Sequence, residues 1–510
     1  LKKILLGIEG IKAKGNLDLD IEGIEKNSKE VKKGYMFIAI KGFSVDGHKY
    51  INNAIENGAR CVMVEEGCDL KELNIPKDVA VVMAKDTREA LAVSSANFYK
   101  NPSKKFKLIG VTGTKGKTTT TFMIKEILEK AGKKVGLIGT IATYINGKKL
   151  KDSDRTTPES LELQQLFNQM VEEGVEYVVM EVSSQSLKLH RVDACDFDIV
   201  LFTNFSEDHI SEKEHPNMQD YFESKLKIFN QSKVACVNLN MDNIENLLKV
   251  LDYAKNSEKI ITFGTTRNAD VFAYNIEKKG LHTSFKVKTP YFNNKILLTM
   301  PGLFNIENAL AAIAVSVAMK IPYKNIYEGL KVARSSGRME LYTNKDKKII
   351  AIVDYAHNKL SFEKLYESTI KEYPDRKIVT VFGCPGGHAI IRRRDLGVLS
   401  GLNSDITYLT AEDPGMEKTE DICEEIAGYV KKVGGKYKII EDRGEAIKTA
   451  IMENPDSVIL ITGKGNETRQ KIGTTYVKCL TDVQYAKNAL KEYDRIYINT
   501  QNAKKKVVKK

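Results

Sequence analysis

The stretch Lys107-Leu108-Ile109-Gly110-Val111-Thr112-Gly113-Thr114-Lys115-Gly116-Lys117-Thr118-Thr119-Thr120 decides the reading of this chain. An apolar run enters, a glycine-rich turn follows, and a helix is predicted over 117–130. Glycine permits backbone conformations that aim several N–H groups at one anion. The N-terminus of the following helix adds partial positive charge. Gly113, Thr114, Lys115, Gly116, Lys117, Thr118 and Thr119 are therefore candidate ATP ligands. Lys117 would carry a full charge to the β- and γ-phosphates, and Thr118 a hydroxyl to Mg²⁺. The strict phosphate-loop pattern wants Gly at 111, where Val111 stands, so the match is to a shorter Gly-Thr-x-Gly-Lys-Thr form. A chance lysine in an ordinary strand-to-helix turn is the plain alternative. The order strand, turn, helix speaks against it.

Outward from this loop, β-branched runs alternate with helical stretches. Arg60-Cys61-Val62-Met63-Val64, Val79-Ala80-Val81-Val82-Met83 and Tyr177-Val178-Val179-Met180 are examples. Ile349-Ile350-Ala351-Ile352-Val353, Lys377-Ile378-Val379-Thr380-Val381-Phe382 and Ser457-Val458-Ile459-Leu460-Ile461 are others. Uninterrupted apolar runs of this length suit strands buried on both faces of a parallel sheet, and the class is α/β. Lys100-Asn101-Pro102-Ser103-Lys104-Lys105 and Ala333-Arg334-Ser335-Ser336-Gly337-Arg338 are polar interruptions. They divide the chain into domains at 1–105, 106–334 and 335–495, with a basic tail at 496–510.

The 510 residues allow about three domains at ~150 residues each, and 42% hydrophobic against 29% charged residues is a globular balance. The formal net charge of +12 points weakly to anionic partners. Part of it sits in the lysine-rich end, expected as a frayed, solvated tail. No helix-turn-helix or RNA-recognition pattern accompanies it, so no nucleic-acid partner is expected. Seven cysteines, none in a Cys-x-x-Cys pair, fit a reducing cytoplasm. The opening residues do not read as a secretory signal, because Glu9 cuts the apolar run. No run approaches the ~20 apolar residues that span a bilayer. A monomer without membrane insertion is expected.

From the shorter loop form onward the chain resembles the Mur ligases over nearly its whole length. Thr156-Thr157-Pro158 resembles the segment that contacts the muramoyl substrate. Glu181-Val182-Ser183-Ser184-Gln185 follows a predicted strand, where ligands collect in open α/β sheets. By this resemblance Glu181 binds Mg²⁺, His209 is a further metal contact, and Ser183, Gln185 and Arg191 touch the substrate. Tyr221-Phe222-Glu223-Ser224-Lys225 resembles the segment bearing a carbamylated lysine, which falls on Lys225. A carbamate would turn that cation into an anion able to hold a second Mg²⁺. Gly302-Leu303-Phe304-Asn305-Ile306-Glu307-Asn308 resembles the segment near the adenine, giving Asn305 and Asn308; Asn305 also reads as a helix cap. Arg338, Asp354 and His357 are implied near the nucleotide. Ser28, in Asn27-Ser28-Lys29, is implied as a ligand of the nucleotide diphosphate, or makes a turn. The implied architecture is three domains, with a phosphate-loop central domain and a Rossmann-like C-terminal one. The chain departs from the family pattern at Asn27, Lys115 and Lys359.

The resemblance implies an ATP-dependent amide ligase. It would add a diamino acid to UDP-N-acetylmuramoyl-L-alanyl-D-glutamate through an acyl phosphate. The amino acid is to be read from Phe382-Gly383-Cys384-Pro385-Gly386-Gly387-His388 and Ala411-Glu412-Asp413-Pro414-Gly415. Ligases adding meso-diaminopimelate carry arginines where His388 and Gly415 stand, gripping the distal carboxylate. Their absence puts L-lysine ahead of diaminopimelate and ornithine, with His388, Glu412, Asp413, Gly463 and Glu467 as the binding residues. Arg392-Arg393-Arg394 weighs against this, since one guanidinium could replace a missing one. A folylpolyglutamate synthase would lack residues 1–105, and a non-catalytic nucleotide-binding scaffold would not need Lys117, Glu181, Lys225 and His357 together.

Overall fold

The computed structural model describes the chain except residues 43–44, 71–72, 207–209, 211–213, 242, 280–281, 301, 303, 335–338, 388 and 509–510; at 279, 360 and 498–508 it describes the backbone only. The chain forms two compact units. The first comprises 1–277, 284–297 and 307–333, and the second 278–283, 298–306 and 334–510.

The first unit opens with a five-stranded sheet in the order Lys12–Lys14, Ala80–Ala84, Cys61–Glu65, Tyr35–Ile38, Gly23–Glu25. All pairings are parallel except that of the Lys12–Lys14 edge. Alternate residues of these strands enter two cores, one holding Met36, Ile38, Met63 and Val82, the other Phe37, Val62, Val64 and Val81. Burial on both faces explains why the runs read as continuous hydrophobic segments.

An eleven-stranded sheet follows, and its centre positions the candidate site. Phe197–Phe202, Lys107–Thr112, Tyr177–Glu181 and Val135–Ile138 lie side by side and parallel. From the loop strand Lys107–Thr112 the chain crosses first to one side and then, at Phe197, to the other. Such a reversal opens a crevice at the carboxyl ends of the strands. The register sets Glu181 opposite Val111 and Phe202 opposite Thr112, so both neighbours end at the mouth of the glycine turn. The expected helix is present as Lys117–Lys130.

The second unit carries a six-stranded sheet in the order Glu340–Thr343, Ile350–Asp354, Ser457–Thr462, Lys377–Phe382, Ile406–Leu409, Tyr437–Ile439. Only the first strand is antiparallel. Ser457–Thr462 is buried at every position, as its β-branched run requires. The last helix runs Asp482–Val508 and carries most of the backbone of the lysine-rich end with it.

Candidate active site

The glycine turn is built without room for side chains. Gly113 has φ +136°, and a Cβ there would lie 2.0 Å from Thr203 Oγ1. Gly116 has φ +84°, and a Cβ would lie 2.3 Å from Asn308 Oδ1. The turn is pinned from the neighbouring strand end. Thr114 N–H donates to Asn204 O at 2.9 Å, Lys115 N–H to Asn204 Oδ1 at 2.8 Å, and Thr203 Oγ1 to Lys115 O at 2.7 Å. Thr203 and Asn204 carried no signal of their own in the sequence.

Two lysines meet on this turn. Lys117 Nζ donates to Gly113 O at 2.9 Å and Thr114 O at 3.1 Å. Lys225, fully buried, donates to the same Gly113 O at 2.8 Å and lies over the Tyr221 ring at 4.6 Å. The Tyr221 hydroxyl in turn donates to Thr114 Oγ1 at 3.2 Å.

The two oxygen groups expected at Mg²⁺ are in direct contact. Thr118 Oγ1 donates to Glu181 Oε2 at 2.9 Å. Thr140, which sequence reading missed, donates to Glu181 from both its N–H at 2.9 Å and its hydroxyl at 3.1 Å. A carboxylate and a hydroxyl at a helix N-terminus are hard oxygen donors, the set that suits Mg²⁺ shared with substrate phosphates. His209 lies outside the described residues. Among the described residues no group of three His, Cys, Asp or Glu forms a complete metal cluster.

The substrate-side residues also come together. Thr157 Oγ1 donates to Glu181 O at 2.9 Å and accepts from Ser183 N–H at 3.0 Å. Thr156 Oγ1 lies 3.1 Å from Thr140 Oγ1. Arg191 donates to Thr157 O at 3.3 Å and pairs with Glu159 at 2.9 Å. Its buried Nε–H has no hydrogen-bond partner among the described residues. Gln185 stands half-buried on the helix Ser184–Lys188, its side chain without a hydrogen bond among the described residues. A cavity of about 250 Å³ adjoins them, lined by Lys26, Gly42, Arg88, Arg155 and Glu159 among others. Burial pushes both Lys26 and Arg191 below their ordinary values, against the pull of Glu159. The cations Lys26, Arg88 and Arg155 escaped sequence reading. Ser28 is buried in the short turn Ser28–Glu30, its carbonyl taking a hydrogen bond from Asn57 at 2.9 Å.

In the second unit, Asp354 accepts from Met339 N–H at 2.8 Å and Ala356 N–H at 2.7 Å. His357 Nδ1 lies 2.7 Å from Tyr355 O. Arg338 and His388 lie outside the described residues. Asn305, in this unit, is buried at the start of the helix Phe304–Ala318, and Asn308, in the first unit, lies 3.4 Å from Thr120 Oγ1.

The described residues of the expected amino-acid set, Glu412, Asp413, Gly463 and Glu467, follow the ends of two strands, with one difference from expectation. Buried Lys464 already bridges Asp413 at 2.8 Å and Glu467 at 2.6 Å, and the Tyr355 hydroxyl donates to Glu467. Both carboxylates thus hold an internal ammonium. Glu412 does not: its carboxyl makes no hydrogen bond among the described residues and packs against Gly463, where a Cβ would lie 2.9 Å from Oε2. Burial pushes Glu412 up to about 7, against the pull of Arg443 and Lys464. Arg443 is held by Asp482 through two bonds of 2.7 Å. Of the three consecutive arginines, Arg393 is buried between Glu417 and Glu425 at 2.8 and 2.7 Å. Arg394 pairs with Asp395. Arg392 is half-buried in the field of Glu412, with no side-chain hydrogen bond or ion pair among the described residues.

Comparison with known proteins agrees with this geometry. Residues 111–316 match the Mur ligase middle domain, 337–465 the Mur ligase glutamate ligase domain, and 20–99 the Mur ligase family catalytic domain. The chain is 41% identical over 470 residues to the UDP-N-acetylmuramoyl-L-alanyl-D-glutamate--2,6-diaminopimelate ligase of Caldanaerobacter subterraneus subsp. tengcongensis, covering 91% of this chain and 94% of that protein. It is 40% identical to the protein of the same name from Clostridioides difficile, covering 93% and 96%. A solved structure of a ligase of that name superposes with TM-score 0.66 at 24% identity, over 92% and 95% of the two chains. A MurF ligase from Thermotoga maritima in complex with ADP shares the fold at TM-score 0.58 and 18% identity, over 94% and 99%. The chain belongs to the Mur ligase family. It is a peptide ligase of the ATP-dependent class. No helix among the described residues is long and apolar enough to cross a membrane.

Proposed function

We propose that this ligase joins 2,6-diaminopimelate to the D-glutamate of UDP-N-acetylmuramoyl-L-alanyl-D-glutamate at the expense of ATP. One observation carries the reading of the nucleotide end: Thr118 and Glu181 touch at the N-terminus of the loop helix, beside the two lysines on Gly113 O. The loop N–H groups and Lys117 would hold the phosphates, and Thr118 and Glu181 would hold Mg²⁺. Bound Mg²⁺ neutralises charge on the transferring phosphoryl group. The D-glutamate carboxylate takes the γ-phosphoryl group to give an acyl phosphate, and the incoming amine displaces phosphate to form the amide. Positioning and charge stabilisation are what these side chains supply, and no protein nucleophile enters. Thr156, Thr157, Ser183 and Arg191 would hold the acceptor, with the cationic cavity around Lys26 and Arg88 suited to its diphosphate. Asn305, Asn308, Asp354 and His357 are assigned to the nucleotide on the family resemblance.

The choice of diaminopimelate follows the names of the relatives. L-Lysine is the second reading, favoured by Gly415, which offers no side chain for a distal carboxylate, and by the unpaired Glu412. Purified full-length protein, ATP, Mg²⁺ and the muramoyl dipeptide, supplied in turn with diaminopimelate, lysine and ornithine, test both readings. Phosphate release and product mass give the outcome. Dominant lysine turnover overturns the first reading, and turnover with none of the three overturns both.

A further inference from the structure

Beside the groups already assigned lies a buried relay of three side chains. Ser184, the first residue of the helix Ser184–Lys188, places its Oγ 2.9 Å from His215 Nε2. His215 Nδ1 lies 2.6 Å from Asp220 Oδ2, and Lys188 Nζ donates to the same oxygen at 2.7 Å. His215 is wholly buried, and Ser184 is 5% exposed. Burial works against the Asp220 carboxylate, but the hydrogen bonds from Lys188 and His215 outweigh it and keep it below the usual range. Burial also pushes the His215 imidazole below its ordinary value, against the pull of Asp220.

With His215 kept neutral by its burial, these contacts assign the protons. An ionised carboxylate only accepts, so Nδ1 of a neutral His215 carries the hydrogen. Nε2 is then a bare lone pair, and the Ser184 hydroxyl must donate to it. A hydroxyl has one hydrogen, so the remaining lone pairs of the Ser184 oxygen can only accept. Its neighbour along the chain, Ser183, is engaged with Thr157 through its backbone. Three residues earlier stands Glu181, at the phosphate end of the crevice. An acceptor-only oxygen there repels carboxylate and phosphate and selects an N–H or O–H donor.

We propose that His215 and Asp220 are positioning residues that hold Ser184 as an acceptor-only hydroxyl, and that Ser184 takes a hydrogen bond from an amide N–H in the peptide stem of the acceptor. The proposal rests on the acceptor assigned above: the carboxylate to be phosphorylated faces the glycine turn, and the stem amides are its nearest donors. A positioning role differs from a structural one in what it moves. Ser184→Ala and His215→Asn each raise KM for the muramoyl dipeptide about tenfold, the scale of one hydrogen bond. KM for ATP changes less than twofold, and Ser184→Thr keeps the wild-type value. Independently of activity, ¹⁵N NMR of the ligand-free wild-type protein shows His215 protonated at Nδ1 alone at neutral pH. An unchanged acceptor KM in Ser184→Ala, equal losses in Ser184→Thr, or a His215 protonated at Nε2 overturns the proposal. A wild-type protein that does not bind the muramoyl dipeptide sinks the functional reading instead, and leaves the tautomer measurement standing.

Discussion

Lys117 and Lys225 place their ammonium groups on one carbonyl oxygen, that of Gly113, at 2.9 and 2.8 Å. Both ammonium groups thus stand at the turn whose backbone N–H groups would cradle a polyphosphate. Lys117→Ala therefore lowers kcat by about 10²–10³-fold or more, the cost of losing a preorganised charge. The same variant leaves the ligand-free melting temperature within a few degrees of wild type. A clear fall in melting temperature would show that Lys117 is a structural group.

Lys225 admits a second test. If it is carbamylated, activity depends on dissolved CO₂, and ¹³C-labelled bicarbonate gives a carbamate NMR signal that Lys225→Arg abolishes. A fully active enzyme in CO₂-free buffer, without that signal, removes the modification from the mechanism.

Glu181 holds Thr118 and Thr140 together, so its two variants should separate function from folding. Glu181→Gln keeps most of the shape and raises the Mg²⁺ concentration needed for half-maximal rate. Glu181→Ala also strands the buried Thr118 hydroxyl and the half-buried donors of Thr140, at about 1–3 kcal/mol of stability. Mg²⁺ titration of the rate, beside urea unfolding, distinguishes them.

The carboxyl of Glu412, raised by burial from an ordinary 4.5 to about 7, gives a signed pH effect. Between these values the folded state holds more protons than the unfolded one, so this group's contribution makes stability fall as pH rises. Glu412→Gln removes the penalty: the variant gains stability over wild type at pH 8, and the gain shrinks toward zero near pH 4.5. Denaturant unfolding at both ends checks it, and a gain independent of pH would assign the effect to packing.

Arg392 and Arg393 are adjacent but should behave differently. Arg393→Ala leaves the partly exposed Glu417 and Glu425 without their shared partner and costs about 1 kcal/mol of ion-pair stability, beside the lost packing of the buried Arg393 stem. Arg392→Met barely alters stability. If Arg392 meets the distal carboxylate of diaminopimelate, the variant loses kcat/KM for that substrate tenfold or more, and much less for lysine. Equal loss with both substrates would place Arg392 outside the specificity contacts.

What the sequence made legible was whatever is local. Ser457–Thr462 reads as a buried strand because six consecutive side chains declare it, and Gly113 to Thr119 read as a phosphate turn because the turn chemistry is contiguous. The groups that escaped are single polar residues delivered by distant strand ends, a helix start and a loop. Thr203 and Asn204 pin the turn, Thr140 completes Glu181, and Lys26, Arg88 and Arg155 gather around one cavity. Only tertiary register puts them there. The lysine expectation leaned on Glu412 and Glu467 together. It overlooked Lys464, three residues before Glu467, which occupies that carboxylate from within.

The two loops proposed to receive the amino acid are sewn together at backbone level. Gly386 N–H donates to Asp413 O at 3.0 Å, and a Cβ on Gly386 would sit 1.8 Å from Pro414 O. The Glu417 carboxylate, held by Arg393, reaches back to Gly387 N–H. Residues 383–387 and 411–417 are thus halves of one part. A chimera that borrows only one half from a relative inherits a mismatched seam, and a change of preferred amino acid by recombination must carry both halves together.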